Sequence, residues 1–407
     1  MRLRILGTIL LNLVSLSVLA DVGPPQGDAL MLRGFGTLGI ARSTTDQAQF
    51  VRDLSQPDGI TDRWSAKIDS LFGLQANLQL AAPLEAVAQV VSRYHSDGTY
   101  RPELMWGFLK LDPNPTLSLR LGRLGTEFYM LSDSRLVGYS YVTVRPPNDY
   151  FGGLPFSYVD GGDVLLTSPL GEGLLRAKLS AGWSREQVPL ADQEWDLDRS
   201  LILGGYLDYQ WGAWQWRLGY SQIRFRHELP IEPLLGILDA TGLPSAREAA
   251  NALSVTDKLA RFTSLGVVYD SGPLQVQWML SRTDQESRAL ENSRAGYLLA
   301  SYQIAKFRPF LGVSWVKSSR KSLETGLPAA PPFTQIDAAV ATVMRDSHSD
   351  QRTVSLGVRW DFRDNMALKV QWDAIRGRPD SVFPYRWEVP GWDGRTNIFS
   401  LALDFVF

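Results

Sequence analysis

Asn397-Ile398-Phe399-Ser400-Leu401-Ala402-Leu403-Asp404-Phe405-Val406-Phe407 is the stretch that decides the fold. Phe399, Leu401, Leu403, Phe405 and Phe407 occupy alternate positions, and each is large and apolar. The other set holds Ser400, Ala402 and Asp404 together with Ile398 and Val406. A strand sends successive side chains to opposite faces. One face is therefore greasy from end to end, and the other tolerates water. A soluble sandwich can use such a strand. Here the pattern recurs along nearly the whole chain, behind an export signal, and that combination predicts a barrel in a bacterial outer membrane.

Working outward, period-two segments of about 9–11 residues, the length a tilted strand needs to cross a bilayer, fall near 30–41, 70–81, 84–94, 103–111, 116–124, 161–169, 174–184, 200–210, 214–225, 260–270, 273–283, 294–304, 308–318, 351–362, 366–376 and 397–407. In 352–362, Val354, Leu356, Val358, Trp360 and Phe362 oppose Thr353, Ser355, Gly357, Arg359 and Asp361. Short connections rich in Pro, Gly, Asn and Asp, such as Ser271-Gly272 and Arg363-Asp364-Asn365, alternate with mostly longer ones such as 42–69, 125–160 and 319–350. The prediction is an all-β fold: a transmembrane antiparallel up-and-down β-barrel of sixteen strands, with short periplasmic turns and long outer loops.

Arg2 and Arg4, the apolar run Ile5 to Leu19 and the small residues of Val18-Leu19-Ala20 have the layout of a secretory signal peptide, residues 1–20. Residues 21–407 then form a single barrel domain, because no linker-like break interrupts the pattern. No later run reaches the roughly 20 apolar residues of a membrane helix. Cysteine is absent, which removes disulfides and thiol chemistry. Without Arg2 and Arg4 the chain holds 39 basic and 43 acidic residues, net −4. That balance gives no support for nucleic-acid binding. No cofactor or metal motif is present. Two connections, 231–252 and 334–345, have helical character and are expected to fold over the outer mouth. Trp211, Trp214, Trp216 and Trp360, beside short turns, suit a membrane interface.

In its closing strand, export signal and strand arithmetic the chain resembles the Gram-negative outer-membrane porins of sixteen strands. The resemblance covers essentially the whole mature chain and rests on architecture. It implies a water-filled channel for passive diffusion of small hydrophilic solutes and ions, in contact with outer-membrane lipid. It also implies a homotrimer, and recognition by the β-barrel assembly machinery through the strand ending at Phe407. It further implies that the third outer loop, 125–160, folds into the lumen as a constriction. Asp149-Tyr150-Phe151-Gly152-Gly153 is the nearest approach there to the Pro-Glu-Phe-Gly-Gly run of enterobacterial porins.

A barrel of this size is too wide for side chains to fill, and passage is set by the narrowest radius and its charges. The polar faces place Arg33, Arg93, Arg120, Arg176, Lys178, Arg217, Arg359 and Lys369 on the lumen wall, with Glu85, Asp208, Asp361, Asp373 and Asp404. The expected constriction opposes this basic wall with Glu127, Asp133, Asp149 and Asp160 of loop 125–160. Two other readings compete. One is a substrate-specific channel for organic acids, sugars or aromatics, suited by Phe128, Tyr129, Tyr139, Tyr141, Tyr150, Phe151 and Phe156. The other is an outer-membrane hydrolase, for which His95, His227 and His348 are the only histidines and match no metal spacing.

Overall fold

The computed structural model describes residues 29–154, 156–190, 193–379 and 385–407. The signal-peptide segment 1–20 lies outside the described residues. Sixteen strands close into one antiparallel barrel, each hydrogen-bonded to its sequence neighbours. We number them β1 (Leu30–Ser43), β2 (Leu71–Ala81), β3 (Leu84–Arg93), β4 (Glu103–Asn114), β5 (Leu117–Gly125), β6 (Tyr158–Leu170), β7 (Gly173–Trp183) and β8 (Leu201–Trp211). The second half is β9 (Trp214–Arg224), β10 (Leu259–Ser271), β11 (Leu274–Gln285), β12 (Asn292–Tyr302), β13 (Phe307–Ser319), β14 (Asp350–Arg363), β15 (Met366–Gly377) and β16 (Arg395–Val406). Every predicted segment is a strand, most within two residues at each end. The largest differences are three residues: β4 runs on to Asn114, and β6 starts at Tyr158 because Leu121 to Gly125 extend the ladder that far.

The alternation sorts as physics demands. Leu121, Leu179, Leu207, Leu218 and Leu311 are exposed on the outward face, while inward Asp208, Lys369 and Asp404 are buried. An outward apolar stripe fits hydrocarbon. At the short-turn end that face carries rings that pack on one another: Trp214 stacks on Trp216 at 5.8 Å and Phe307 on Trp360 at 5.8 Å, and Tyr269 meets Trp214 tilted at 4.7 Å. Aromatic rings of this kind suit an interface that is half apolar and half wet.

The seam between β1 and β16 closes the barrel. Gly34 and Phe407 exchange both backbone hydrogen bonds, at 2.8 and 2.9 Å. The Phe407 ring lies over Gly34 and the Phe405 ring over Gly36; a Cβ on Gly34 would meet Phe407 Cζ at 2.1 Å. The two glycines make room for rings from the neighbouring strand.

Three loop helices stand at the outer end: α1 (Glu232–Ala240), α2 (Pro244–Leu253) and α3 (Phe333–Arg345). They fall where the sequence of 231–252 and 334–345 has helical character. Leu238, Ala246, Leu253, Val340 and Met344 join the main buried apolar cluster, so the helices cap the mouth by burying their apolar faces on it.

Candidate functional site

The segment between β5 and β6 turns inward at a neck where Thr126 N–H donates to the Ser157 carbonyl at 3.1 Å and Thr126 Oγ1 to the Phe156 carbonyl at 2.9 Å. It then runs deep into the lumen. Tyr139 Oη donates to the backbone carbonyl of Asp364, in a short turn at the far end, at 2.7 Å. A one-turn helix, Asn148–Phe151, brings the chain back along β12 to β14.

Charged wall residues grip this segment. Arg145 is buried and donates to Asp69 Oδ1 and Oδ2 at 2.9 and 2.6 Å, to Asp373 at 3.0 Å and to Ser400 Oγ at 2.6 Å. The guanidinium fork so joins the outer connection after β1 to β15 and β16. Lys369 Nζ donates to the carbonyls of Gly138 and Thr143 at 2.7 and 2.8 Å and lies 2.9 Å from Asp404. Arg359 donates to the carbonyls of Tyr139 and Tyr141. Asp149 accepts from Ser314 Oγ at 2.7 Å and Gln351 Nε2 at 2.6 Å. Arg359, Lys369 and Asp149 therefore position the segment.

On the opposite wall Arg120, Lys178 and Glu127 come together. Glu127 Oε1 is 2.9 Å from Arg120 and 2.5 Å from Lys178. Asp163 completes the group, 2.6 Å from Arg120 and 3.1 Å from Lys178. Arg217 pairs with Asp208 at 2.9 Å and stacks 4.0 Å over the Tyr206 ring. Asp133 is near Glu127, Arg217 and Lys178. Arg93 sits higher, donating to Ser55 at 2.9 Å and Ser157 at 3.3 Å. Arg33 and Arg176 face inward below the group and stay partly exposed, Arg176 donating to Gln210 at 3.3 Å.

One assignment is corrected. Asp160 is on β6, opposite Arg123, with the parity of the lipid-facing Val164 and Leu166. It points outward and pairs with Arg123 at 2.7 Å and Arg185 at 3.1 Å. The strand begins before Asp160, so the residue follows strand parity and not the loop. Sequence reading also missed Arg145, Asp69, Arg52, Arg135 and Glu186. All lie in connections, where no periodicity marks a facing.

The mid-height lumen is filled. Phe128, Tyr129, Met130, Tyr150 and Phe151 of the segment form one apolar cluster with Val268, Met279, Tyr297, Leu299 and Phe310 of the wall. Tyr129 meets Phe151 at 4.8 Å and Tyr150 meets Tyr297 at 5.3 Å, edge to face. The inward face of β10–β13 thus carries apolar side chains at this height, because it receives a greasy segment rather than water. Toward the short turns the inward residues Arg33, Lys110, Arg176 and Arg308 become partly exposed. Above these residues the Arg120–Glu127–Lys178 contact joins the inserted segment to the wall.

Glu186, in the outer connection after β7, staples the returning end of the segment. Its Oε2 accepts the N–H of Ser157 at 2.7 Å. Burial pushes its carboxyl up to about 7, against the pull of that N–H, Arg135 and Arg93. The folded state thus holds the proton more tightly than the unfolded chain. The resulting stability is complete below the ordinary value of 4.5 and is lost as pH rises through about 7. We expect Glu186→Gln to reduce the fall in thermal midpoint between about pH 5 and about pH 8 by an amount equivalent to roughly 2–3 kcal/mol, read by circular dichroism melts. An identical pH profile in the variant would contradict the assignment.

Ser318, at the outer end of β13, converges with His348 and Glu291 of the outer loops. Ser318 Oγ and Glu291 Oε2 both approach His348 Nδ1, at 3.1 and 2.8 Å. A hydrolytic relay places nucleophile and carboxylate on different ring nitrogens, so this is a buried polar staple. Among the described residues no group of three His, Cys, Asp or Glu is arranged to hold a metal ion.

No family model and no curated protein matches the sequence. Solved structures match the fold. Salmonella typhi OmpF, in complex with daunomycin, is 12% identical, with 93% of this chain and 97% of that chain covered and a TM-score of 0.58. The anion-selective porin from Comamonas acidovorans is 13% identical over 93% and 99%, with a TM-score of 0.56. The outer membrane channel DcaP of Acinetobacter baumannii is 13% identical over 93% and 97%, with a TM-score of 0.53. The fold is that of bacterial outer-membrane porins.

Proposed function

We propose that this protein is a tightly constricted channel of the Gram-negative outer membrane, passing small hydrophilic solutes and ions, and not an enzyme. One observation supports the reading: inside the barrel, Glu127 of the inserted segment meets Arg120 and Lys178 of the wall. Opposed charges at a constriction set up a transverse field that orients and selects charged solutes. The buried mid-height cluster favours selective passage over broad diffusion, because water reaches little of the wall there. Assembly as a homotrimer fits the same reading; one barrel of this fold, OmpT of Vibrio cholerae, is described in a trimer form.

Planar-bilayer recording tests it. Glu127→Gln leaves Arg120 and Lys178 with less countercharge, so the anion-to-cation permeability ratio should rise by about fivefold, on the order of 1 kcal/mol for one charge at the narrowest point. Arg120→Ala should move the ratio the other way. Unchanged conductance and selectivity in Glu127→Gln, Arg120→Ala and Asp133→Ala together would refute the constriction. Liposome swelling with neutral sugars against carboxylates then separates the two transport modes: a response graded only by size means general diffusion.

A further inference from the structure

A cavity of about 330 Å³ lies between the start of the inserted segment and β3–β5. That size is at the lower end for small-molecule sites. Gln89, Trp106, Asp133, Arg135 and Leu136 line it. Trp106, Phe108 and Lys110 form an inward column on β4 and are only half-buried, as are Asp133 and Arg135. On β10–β12 the inward Val268, Met279 and Tyr297 are fully buried against the segment. The cavity therefore stands on the side of the lumen that solvent still reaches.

Its two charges have opposite sign, and neither is answered. Asp133 accepts the N–H of Ser134 at 2.9 Å, and among the described residues no cation stands within ion-pair distance of it. Arg135 donates from Nη2 to the Phe156 carbonyl at 3.0 Å and to Ser157 Oγ at 2.7 Å, and among the described residues no carboxylate stands within ion-pair distance of it. Two uncharged groups are open in the same way. Gln89 donates its amide N–H to Gln75 at 2.9 Å, and among the described residues its carbonyl has no donor and Trp106 Nε1–H has no acceptor. By contrast, Glu127 answers both Arg120 and Lys178. A polar group without a protein partner costs free energy unless water or a solute supplies one. The cavity thus offers two donors and two acceptors, one of each charged, beside an indole ring.

We propose that this cavity is a subsite for free α-amino acids with an apolar side chain, held as zwitterions on their way through the channel. The proposal rests on the channel reading. The carboxylate of the solute accepts from Arg135 and from Trp106 Nε1, the first a charge-assisted bond. Its ammonium donates to Asp133 and to the Gln89 carbonyl. Its side chain packs on the Trp106 ring and Leu136. A solute with a single charge leaves one of the two site charges unanswered, and that penalty is the source of discrimination.

The test uses the full chain in non-ionic detergent. Leucine, leucinamide, 4-methylpentanoate and glycine are titrated in turn, with affinity read by saturation-transfer NMR, and the same preparation is recorded in planar bilayers. Leucine should bind about tenfold more tightly than leucinamide, which lacks the carboxylate, and than 4-methylpentanoate, which lacks the ammonium. Asp133→Asn should weaken leucine about tenfold and leave 4-methylpentanoate unchanged. Arg135→Gln should weaken leucine by a similar factor and leave leucinamide unchanged. Trp106→Ala should flatten the preference for leucine over glycine. Should a variant fail to show the gel shift of a folded barrel, the solute series on wild type still decides. Equal affinity for leucine and its two singly charged analogues overturns the proposal. So does unchanged leucine affinity in folded Asp133→Asn and Arg135→Gln. A barrel that prefers leucine in detergent but carries no current would sink the channel reading alone.

Discussion

Arg145→Ala should both destabilise the barrel and widen its conducting path. The guanidinium neutralises Asp69 and Asp373 inside the wall and fastens the inserted segment to β15 and β16. Its removal leaves two buried carboxylates facing each other without a cation. Breaking a buried pair by deleting one partner costs about 3–5 kcal/mol. The cheapest relief is for water to enter and for residues near 141–148 to leave the wall. Single-channel conductance should therefore rise several-fold, with added open-state noise. Arg145→Lys keeps a charge but loses the fork that reaches Asp69 and Ser400 at once, so it should fall between wild type and alanine. A stable variant with wild-type conductance would show that the segment is held elsewhere.

Lys369→Met is expected to cost a similar amount, and its double variant supplies a sharper reading. Lys369 is fully buried against Asp404, which also accepts from Thr37 Oγ1 at 2.5 Å. The lysine alone is replaced at a cost of about 3–5 kcal/mol, because Asp404 keeps its charge in a dry place. Lys369→Met/Asp404→Leu removes both charges, and ion pairs exchanged for apolar side chains of similar volume are often neutral. Recovery should be only partial here. Lys369 also satisfies the carbonyls of Gly138 and Thr143, and each orphaned acceptor costs about 1–3 kcal/mol. Denaturant titration of folded barrel on gels gives the three free energies. Full recovery would mean that the lysine serves Asp404 and not the segment.

The wall could be read from sequence and the segment could not, for one physical reason. A strand facing lipid on one side and polar groups on the other writes its geometry into alternate residues. Val354, Leu356, Val358 and Trp360 had no other place to go, and Arg359 and Lys369 followed by parity. Parity says which face, but not what meets it. It placed Lys369 inside without revealing that two backbone carbonyls wait there. Arg145, Asp69 and Glu186 belong to connections whose shape is set by the surfaces they land on, so their partners appear only in three dimensions. Asp160 failed for the converse reason: a strand extended over residues that composition assigns to a loop.

The seam between Gly34 and Phe407 imposes an order of events. The two strands of the barrel farthest apart in sequence are partners, so any partial set of hairpins carries two raw edges. Until the final rings settle on their glycines, donors and acceptors at those edges have only water or a helper protein to answer them. Without that one contact between β1 and β16 the barrel is an open sheet. Loss of even the terminal phenylalanine would leave a gap in the zip where hydrocarbon tolerates none.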